Sequence, residues 1–316
     1  MSAPKFAAVF TSVVAATTVL VSPGATDADA AVTGSGSAQA LRVDVSLADC
    51  TVIGTEFHDD LAGTPGDDVI CGLGGDDSLY NSAGNDAYIG GDGFDWLWFW
   101  NATNGVKADL LTGVATGQGN DTIDGIENLY GSPYRDVLKG DSEKYLDPGG
   151  FLVGNTLTGG ERGDVLGGRG GNDTLYGYGG KDTLIPGPGN DWASGDNGVD
   201  TISFKLSTGP VTVDMTTAPG AFGQGTDYVY GENVIGSAYD DTITGNAEGY
   251  GPNTHHANIL WGLAGDDTLF GGPQGNDKLY GQAGNDALDG GTDTDLCDGG
   301  PDTDTATACE TQVSIP

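Results

Sequence analysis

GRGGNDTLY-GYGGKDTLI, residues 168–185, states one nine-residue phrase twice in strict phase. The period is Gly-x-Gly-Gly-x-Asp-x-Leu-x, with Asp173 and Asp182 in the sixth place and Leu175 and Leu184 in the eighth. An internal repeat of fixed period decides architecture before any other signal does. The first six residues are too rich in glycine for a strand. Glycine enters positive φ without steric cost, so they read as a tight turn. The last three, x-Leu-x, suffice for a short strand whose central side chain points to one face and whose flanks point to the other. Turn and strand alternate, a coil closes every two repeats, and residues eighteen apart stack. Asp at the sixth place then stands at the mouth of every turn. Two such Asp face each other across stacked turns, beside glycine-rich backbone carbonyls. That is an all-oxygen cage of the sort Ca²⁺ prefers.

Outward from this phrase the period persists. Asp59, Asp68, Asp77, Asp86 and Asp95 lie nine apart, with Leu61, Ile70, Leu79, Tyr88 and Leu97 in the eighth place; Tyr88 is the weak match. A second block gives Asp164, Asp173, Asp182, Asp191 and Asp200. A third gives Asp267, Asp277, Asp286, Asp295 and Asp304, with one extra residue in GGPQGNDKLY. The blocks span 50–100, 154–204 and 258–316, the last including a C-terminal cap. The spacers, 101–153 and 205–257, are copies of each other. Val106-Lys107-Ala108-Asp109-Leu110 meets Val211-Thr212-Val213-Asp214-Met215 at an offset of 105, and Glu127-Asn128 meets Glu232-Asn233 at the same offset. Their alternating apolar and polar residues suit strands. The solenoid is expected to continue through them in wider coils, with loops bulging at 139–153 and 246–257.

GRGGNDTLY, GYGGKDTLI, GLGGDDSLY (72–80) and GQAGNDALD (281–289) resemble the RTX, or haemolysin-type, calcium-binding nonapeptide of parallel β-rolls. The resemblance covers most of residues 50–307. It implies an all-β fold, a right-handed parallel β-roll or β-helix solenoid of GGxGxDxUx nonapeptides in three blocks. It also implies a roll that folds on binding Ca²⁺ after export into a calcium-rich medium. The fifteen sixth-place Asp are the expected metal residues. Pairing them eighteen apart gives three cages in each of the first two blocks and roughly six to nine Ca²⁺ in all. Without the ion the stacked carboxylates repel, so binding free energy becomes folding free energy.

Composition agrees. The chain has 57 Gly in 316 residues and 46 acidic against 11 basic side chains, a net charge of −35. Such a surface repels nucleic acid and anionic membranes. Lys5, the uncharged stretch Phe6–Val21 and Ala28-Asp29-Ala30 read as a secretory signal peptide over 1–30, followed by a linker or N-terminal cap over 31–49. The stretch is short for a span, and no later one could cross a bilayer. The mature protein is expected outside the cell. RTX toxins typically leave through a one-step exporter that reads a C-terminal signal; the N-terminal signal here points to the general secretory route.

Cys50, Cys71, Cys297 and Cys309 allow three pairings. The nearest-neighbour pairing, Cys50–Cys71 and Cys297–Cys309, would staple both ends of the solenoid, where fraying starts. Trp96, Trp98 and Trp100 alternate along one strand face and are the candidate ligand surface, suited to an extracellular polysaccharide or a cell surface. A face covered by a spacer is the alternative. His58, and His255 with His256, read as turn and loop residues. HExxH, G-x-S-x-G, the P-loop and the dinucleotide fingerprint are absent. Almost every Asp is taken by the repeat phase, so no distinct carboxylate pair is left for hydrolysis. The expectation is a protein without a catalytic centre. A polysaccharide-acting solenoid enzyme is the reading from another class.

Overall fold

The computed structural model of the protein describes residues 48–142, 145–146, 152–217, 220–246 and 257–315. The leader expected at 1–30, most of the linker, and His255 with His256 lie outside the described residues. The unit from Ala40 to Pro316 is a two-sheet solenoid in which every regular element among the described residues is a strand. Each sheet holds 15 strands. Successive nonapeptides place their x-Leu-x strands alternately in one sheet and the other, and each strand pairs in parallel with the strand one coil away. Leu97 pairs in register with Leu79 and Leu129. Leu157 pairs with Leu175, and Leu166 with Leu184.

This register puts the eighth-place side chains in two facing rows, and those rows are the core. Leu79, Leu97, Leu157, Leu166, Leu175 and Leu184 are all fully buried. The core is one side chain wide per strand, so stability grows by stacking coils. Each buried leucine is worth about 1.5–3 kcal/mol against leaving it in water. The row thins at the C-terminus, where Cys297 and Ala306 take the place of leucine.

The spacers depart from the expected wide coils. In the first, Lys107–Asp109, Val114–Thr116 and Asn120–Asp124 form an antiparallel meander inside one sheet. Its outer strands rejoin the parallel stack, against Val137–Lys139 on one side and Ala87–Asp92 on the other. The reason is connection length. Asp109 pairs with Val114 across four residues that include Gly113 at φ 65, enough for a hairpin but too short for a crossover to a parallel neighbour. In the second spacer Thr212–Asp214, Ala221–Phe222 and Thr226–Tyr230 repeat the meander, but in the opposite sheet. The 105-residue copy holds an odd number of half-coils, so equivalent residues emerge on opposite sheets. Both meanders in one sheet would have made it four strands longer than its partner, about 19 Å at the usual strand spacing.

The first expected loop carries a small antiparallel pair, Tyr145–Leu146 with Leu152–Val153. Its Tyr145 ring meets Phe94 edge-on at 6.1 Å. Both expected disulfides are formed, Cys50–Cys71 with Cα atoms 6.0 Å apart and Cys297–Cys309 with Cα atoms 5.9 Å apart.

Candidate metal centre

The sixth-place Asp line both turn edges of the solenoid. Fourteen of the fifteen are buried, and Asp59 in the first coil is half-buried. Beyond Asp59, which bonds Thr55 of its own turn, each carboxylate reaches back one coil. Oδ1 of Asp77 accepts the backbone N–H of Asp59 at 2.8 Å, and Oδ1 of Asp95 accepts that of Asp77 at 2.7 Å. The same bond joins Asp182 to Asp164, Asp200 to Asp182, Asp295 to Asp277 and Asp304 to Asp286. Aspartates eighteen apart are therefore stacked, as the period requires. They meet through one carboxylate and one amide, however, and not as two facing carboxylates. The geometry is helpful to both partners: a charge-assisted bond satisfies a turn amide that a Gly-rich loop would otherwise leave open.

Nine residues outside the nonapeptide phase take part in the same ladders. Asp121 accepts from Asp86, Glu127 from Asp95, Asp136 from Val106, and Asn155 from Asp141. Asp227 accepts from Asp191, Glu232 from Asp200, Asp241 from Val211, and Glu310 from Asp295. Asn155 and Asn258 also donate their side-chain amides to the carbonyls of Glu127 and Glu232. The match of Glu127 with Glu232 at offset 105 was the signal for two of these, and Asp136 stands at the same offset from Asp241. Their distance from the nonapeptide phase hid the role.

The second carboxylate oxygen distinguishes a metal site from a structural ladder. Oδ2 is buried and without a hydrogen-bond partner in Asp77, Asp95, Asp164, Asp173, Asp182 and Asp191, and likewise in Asp200, Asp227, Asp267, Asp277, Asp286, Asp295 and Asp304. A buried charge persists only when it is paired or holds a metal. Eleven of these thirteen orphan oxygens point into a space that a first-place glycine leaves open; Pro186 and Phe222 hold that place before Asp191 and Asp227. A Cβ on Gly177 would lie 2.5 Å from Oδ2 of Asp182 and 2.7 Å from the carbonyl oxygen of Gly195. A Cβ on Gly271 would lie 2.5 Å from Oδ2 of Asp277 and 2.6 Å from the carbonyl oxygen of Gly290. Neither glycine has positive φ. The first-place glycine is thus required by the close approach of oxygens and not, as the sequence suggested, by φ. Among the described residues no three His, Cys, Asp or Glu side chains gather as a metal-holding group. Backbone carbonyls must complete the donor set, and carboxylate plus carbonyl oxygen is hard-cation chemistry that suits Ca²⁺.

Electrostatics point the same way. Burial pushes Asp164 and Asp191 up to about 8, and Asp95, Asp173, Asp182, Asp267 and Asp277 up to about 7. Glu127 and Glu232 rise, again through burial, to about 8 and about 7. A cation lodged among them would hold them ionised. Asp68 differs: hydrogen bonds from Thr64 and Thr51 hold its carboxyl below the usual range. His58, at the first turn, bonds the carbonyl of Asp76 through Nδ1, which raises its pKa.

The three tryptophans separate. Trp96 and Trp98 flank the buried Leu97 on the outer face of their strand. Their rings stack at 5.1 Å, and Trp98 stacks on Tyr130 of the next strand at 4.9 Å. Strand spacing brings ring against ring, so their faces are used on each other. Trp100 lies beyond the strand end and is 56% exposed. It forms one wall of a cleft of about 210 Å³ shared with Tyr130 and Tyr178, with Gly131 and Gly160 among its lining and Glu161 its charged residue.

The family model for the RTX calcium-binding nonapeptide repeat (4 copies) matches residues 53–88, 80–98, 158–193, 179–204, 228–247, 256–273 and 274–306. These segments make up a little more than half of the chain. No curated protein matches it.

Proposed function

The chain belongs to the RTX calcium-binding nonapeptide-repeat family, and from that premise we propose that it is an exported protein whose solenoid completes its folding when Ca²⁺ enters the turns. In this reading it serves as a structural or interaction element outside the cell and carries no catalytic centre. The observation that carries the reading is the row of buried carboxylates with one oxygen each left without a partner. Thirteen such oxygens cost more than a fold of short strands can sustain, at roughly 1–3 kcal/mol or more for each unsatisfied group. The candidate leader at 1–30 supports export, and the acidic surface is what a calcium-loaded solenoid would present to a saline medium.

The test is a calcium titration of the chelator-treated full chain, followed by far-UV circular dichroism, with Mg²⁺ as control. The expected result is a cooperative rise in strand content with Ca²⁺ that equal Mg²⁺ does not reproduce. A strand spectrum indifferent to chelation would reject the reading. Export is checked separately, by N-terminal sequencing of protein recovered from the medium, with cleavage after Ala30 expected.

A second reading rests on the cleft between Trp100 and Tyr178. Two exposed rings around a glycine-lined cleft suit the apolar face of a sugar, and the nearby carboxylate and net charge disfavour an anionic polymer. Binding of neutral polysaccharides by the wild type and by Trp100→Ala checks it; equal binding by both removes its basis. Turnover of any such polymer in calcium would favour the enzyme reading instead.

A further inference from the structure

The repeat Asp fall into two classes, and the residue at the second place of each turn sorts them. Asp77, Asp173, Asp182 and Asp286 have an orphan Oδ2. Their second-place residues are Leu73, Arg169, Tyr178 and Gln282, held at φ 83, 71, 68 and 77. Left-handed backbone costs such residues about 1–3 kcal/mol, and they persist in it only where the surroundings impose it. In the other orphan turns the second place is also left-handed, mostly glycine. In all of them the second-place N–H makes no bond to the carboxylate, because Oδ2 has no partner.

Where the second place is Ser or Thr, the opposite holds. Thr64 donates its N–H and its hydroxyl to Oδ2 of Asp68 at 2.6 and 2.7 Å. Thr55 closes Asp59 in the same way. In the spacers Ser132 closes Asp136, and Ser237 closes Asp241. Ser82 donates to Oδ2 of Asp86 at 2.8 Å, and the hydroxyl of Tyr88 donates to the same oxygen at 3.0 Å. That second bond accounts for a tyrosine in a place that otherwise holds an aliphatic. None of these five Ser and Thr residues has positive φ. Asp121, behind the left-handed Gly117, belongs to neither class.

We propose that Ser or Thr at the second place replaces the metal, so that Asp59, Asp68, Asp86, Asp136 and Asp241 hold no Ca²⁺, while Asp227, outside the recognised nonapeptides, does. Asp227 shares the buried, unpartnered Oδ2 and the left-handed second place, Gly223 at φ 135, of the open class; it differs at the first place, where Phe222 is an exposed residue of the antiparallel meander and not a glycine. A second-place Ser or Thr supplies donors where a cation would otherwise sit: amide and hydroxyl both reach Oδ2 at Thr55 and Thr64, the amide reaches Oδ2 and the hydroxyl Oδ1 at Ser132 and Ser237, and at Ser82 the hydroxyl reaches Oδ2 while the amide donates to the Tyr88 hydroxyl. The first coil and the turns at Ser132 and Ser237 then hold together without calcium, and the second and third blocks do not.

The inference rests on the calcium-binding reading and is tested by counting. Ca²⁺ bound per full chain is measured by equilibrium dialysis with atomic emission, for wild type, Thr64→Gly, Leu73→Thr and Asp227→Asn. Thr64→Gly is expected to gain about one ion, and Leu73→Thr and Asp227→Asn to lose about one each. Hydrogen exchange in chelator gives a second readout: protection should persist at 52–71 and collapse across 159–204. If the wild type takes up no calcium, the function proposed above falls. If it takes up calcium but the counts of the folded variants do not move, the two-class rule alone falls. Thr64→Gly and Asp227→Asn decide the matter if Leu73→Thr does not fold.

Discussion

Gly177→Ala tests the metal cradle at one atom. Its new Cβ would sit 2.5 Å from Oδ2 of Asp182 and 2.7 Å from the carbonyl oxygen of Gly195. Both separations are well inside van der Waals contact, and one of the two atoms is backbone. Some movement is forced, and overpacking of this kind costs about 1–3 kcal/mol. That part should appear at any calcium level that keeps the coil folded. The second part grows with calcium: a site lost from the folded state forfeits about 2.7 kcal/mol when free ion exceeds the dissociation constant a hundredfold. The expected destabilisation is therefore about 1–3 kcal/mol in calcium just sufficient to fold the chain and about 4–6 kcal/mol in saturating calcium. Gly209→Ala is the control, because a Cβ there meets nothing within 4 Å and its φ is not left-handed. Urea unfolding of both variants, at the lower and the saturating calcium level, supplies the four numbers. An equal loss for Gly177→Ala in both media would mean that alanine only crowds the turn. No loss in either would mean that the cradle is not tight, and the argument from missing side chains would fail.

Leu175→Ala should cost about 2–5 kcal/mol, since Leu175 is fully buried between Leu157 and Ala193; a urea midpoint within error of wild type would contradict a core one side chain wide. Replacing Cys297 and Cys309 by serine opens a closure of sequence separation 12 and should cost about 2–5 kcal/mol, with exchange protection lost first in strand Leu296–Asp298. Stability of the calcium-free protein should fall as pH rises. Burial lifts the folded-state pKa of Asp164 and Asp191 to about 8 and of Asp95 to about 7, above the unfolded value near 4. Folded and unfolded forms are both protonated below about pH 4, so there is no penalty there; it grows from that point and levels off above about pH 8. Melting temperatures in chelator across pH 4–9 check this, and a rise over that window would refute it. Calcium should remove the fall, and its binding near pH 6 should release protons, detectable by calorimetry in buffers of different ionisation enthalpy.

Most of the solenoid was legible because its physics is local and repeats. A turn of six residues and a strand of three recur in phase, so consecutive nonapeptides already predict the parallel stack, the leucine rows and the stacking of Asp eighteen residues apart. The disulfides were legible because Cys50 and Cys71, like Cys297 and Cys309, are close along the chain. Glu127, Asn155 and Glu310 escaped because they leave the nine-residue phase while their side chains still reach the same turn amide. Tyr88 looked like a poor match only because its hydroxyl bond to Asp86 is invisible to a count of aliphatic residues.

Sequence alone determined the period, and with it the parallel pairing, the core rows and the placing of a carboxylate at each turn; these follow from backbone sterics and alternation within nine residues. Tertiary structure alone decided how the two 105-residue copies face. An odd number of half-coils puts the meanders at Lys107 and Thr212 in opposite sheets, and no residue records that parity locally. Structure also decided which carboxylates keep an unpartnered second oxygen. That depends on whether the second-place residue turns its amide or hydroxyl toward Oδ2 or away, a balance between a hydrogen bond and a left-handed backbone that only the closed coil fixes.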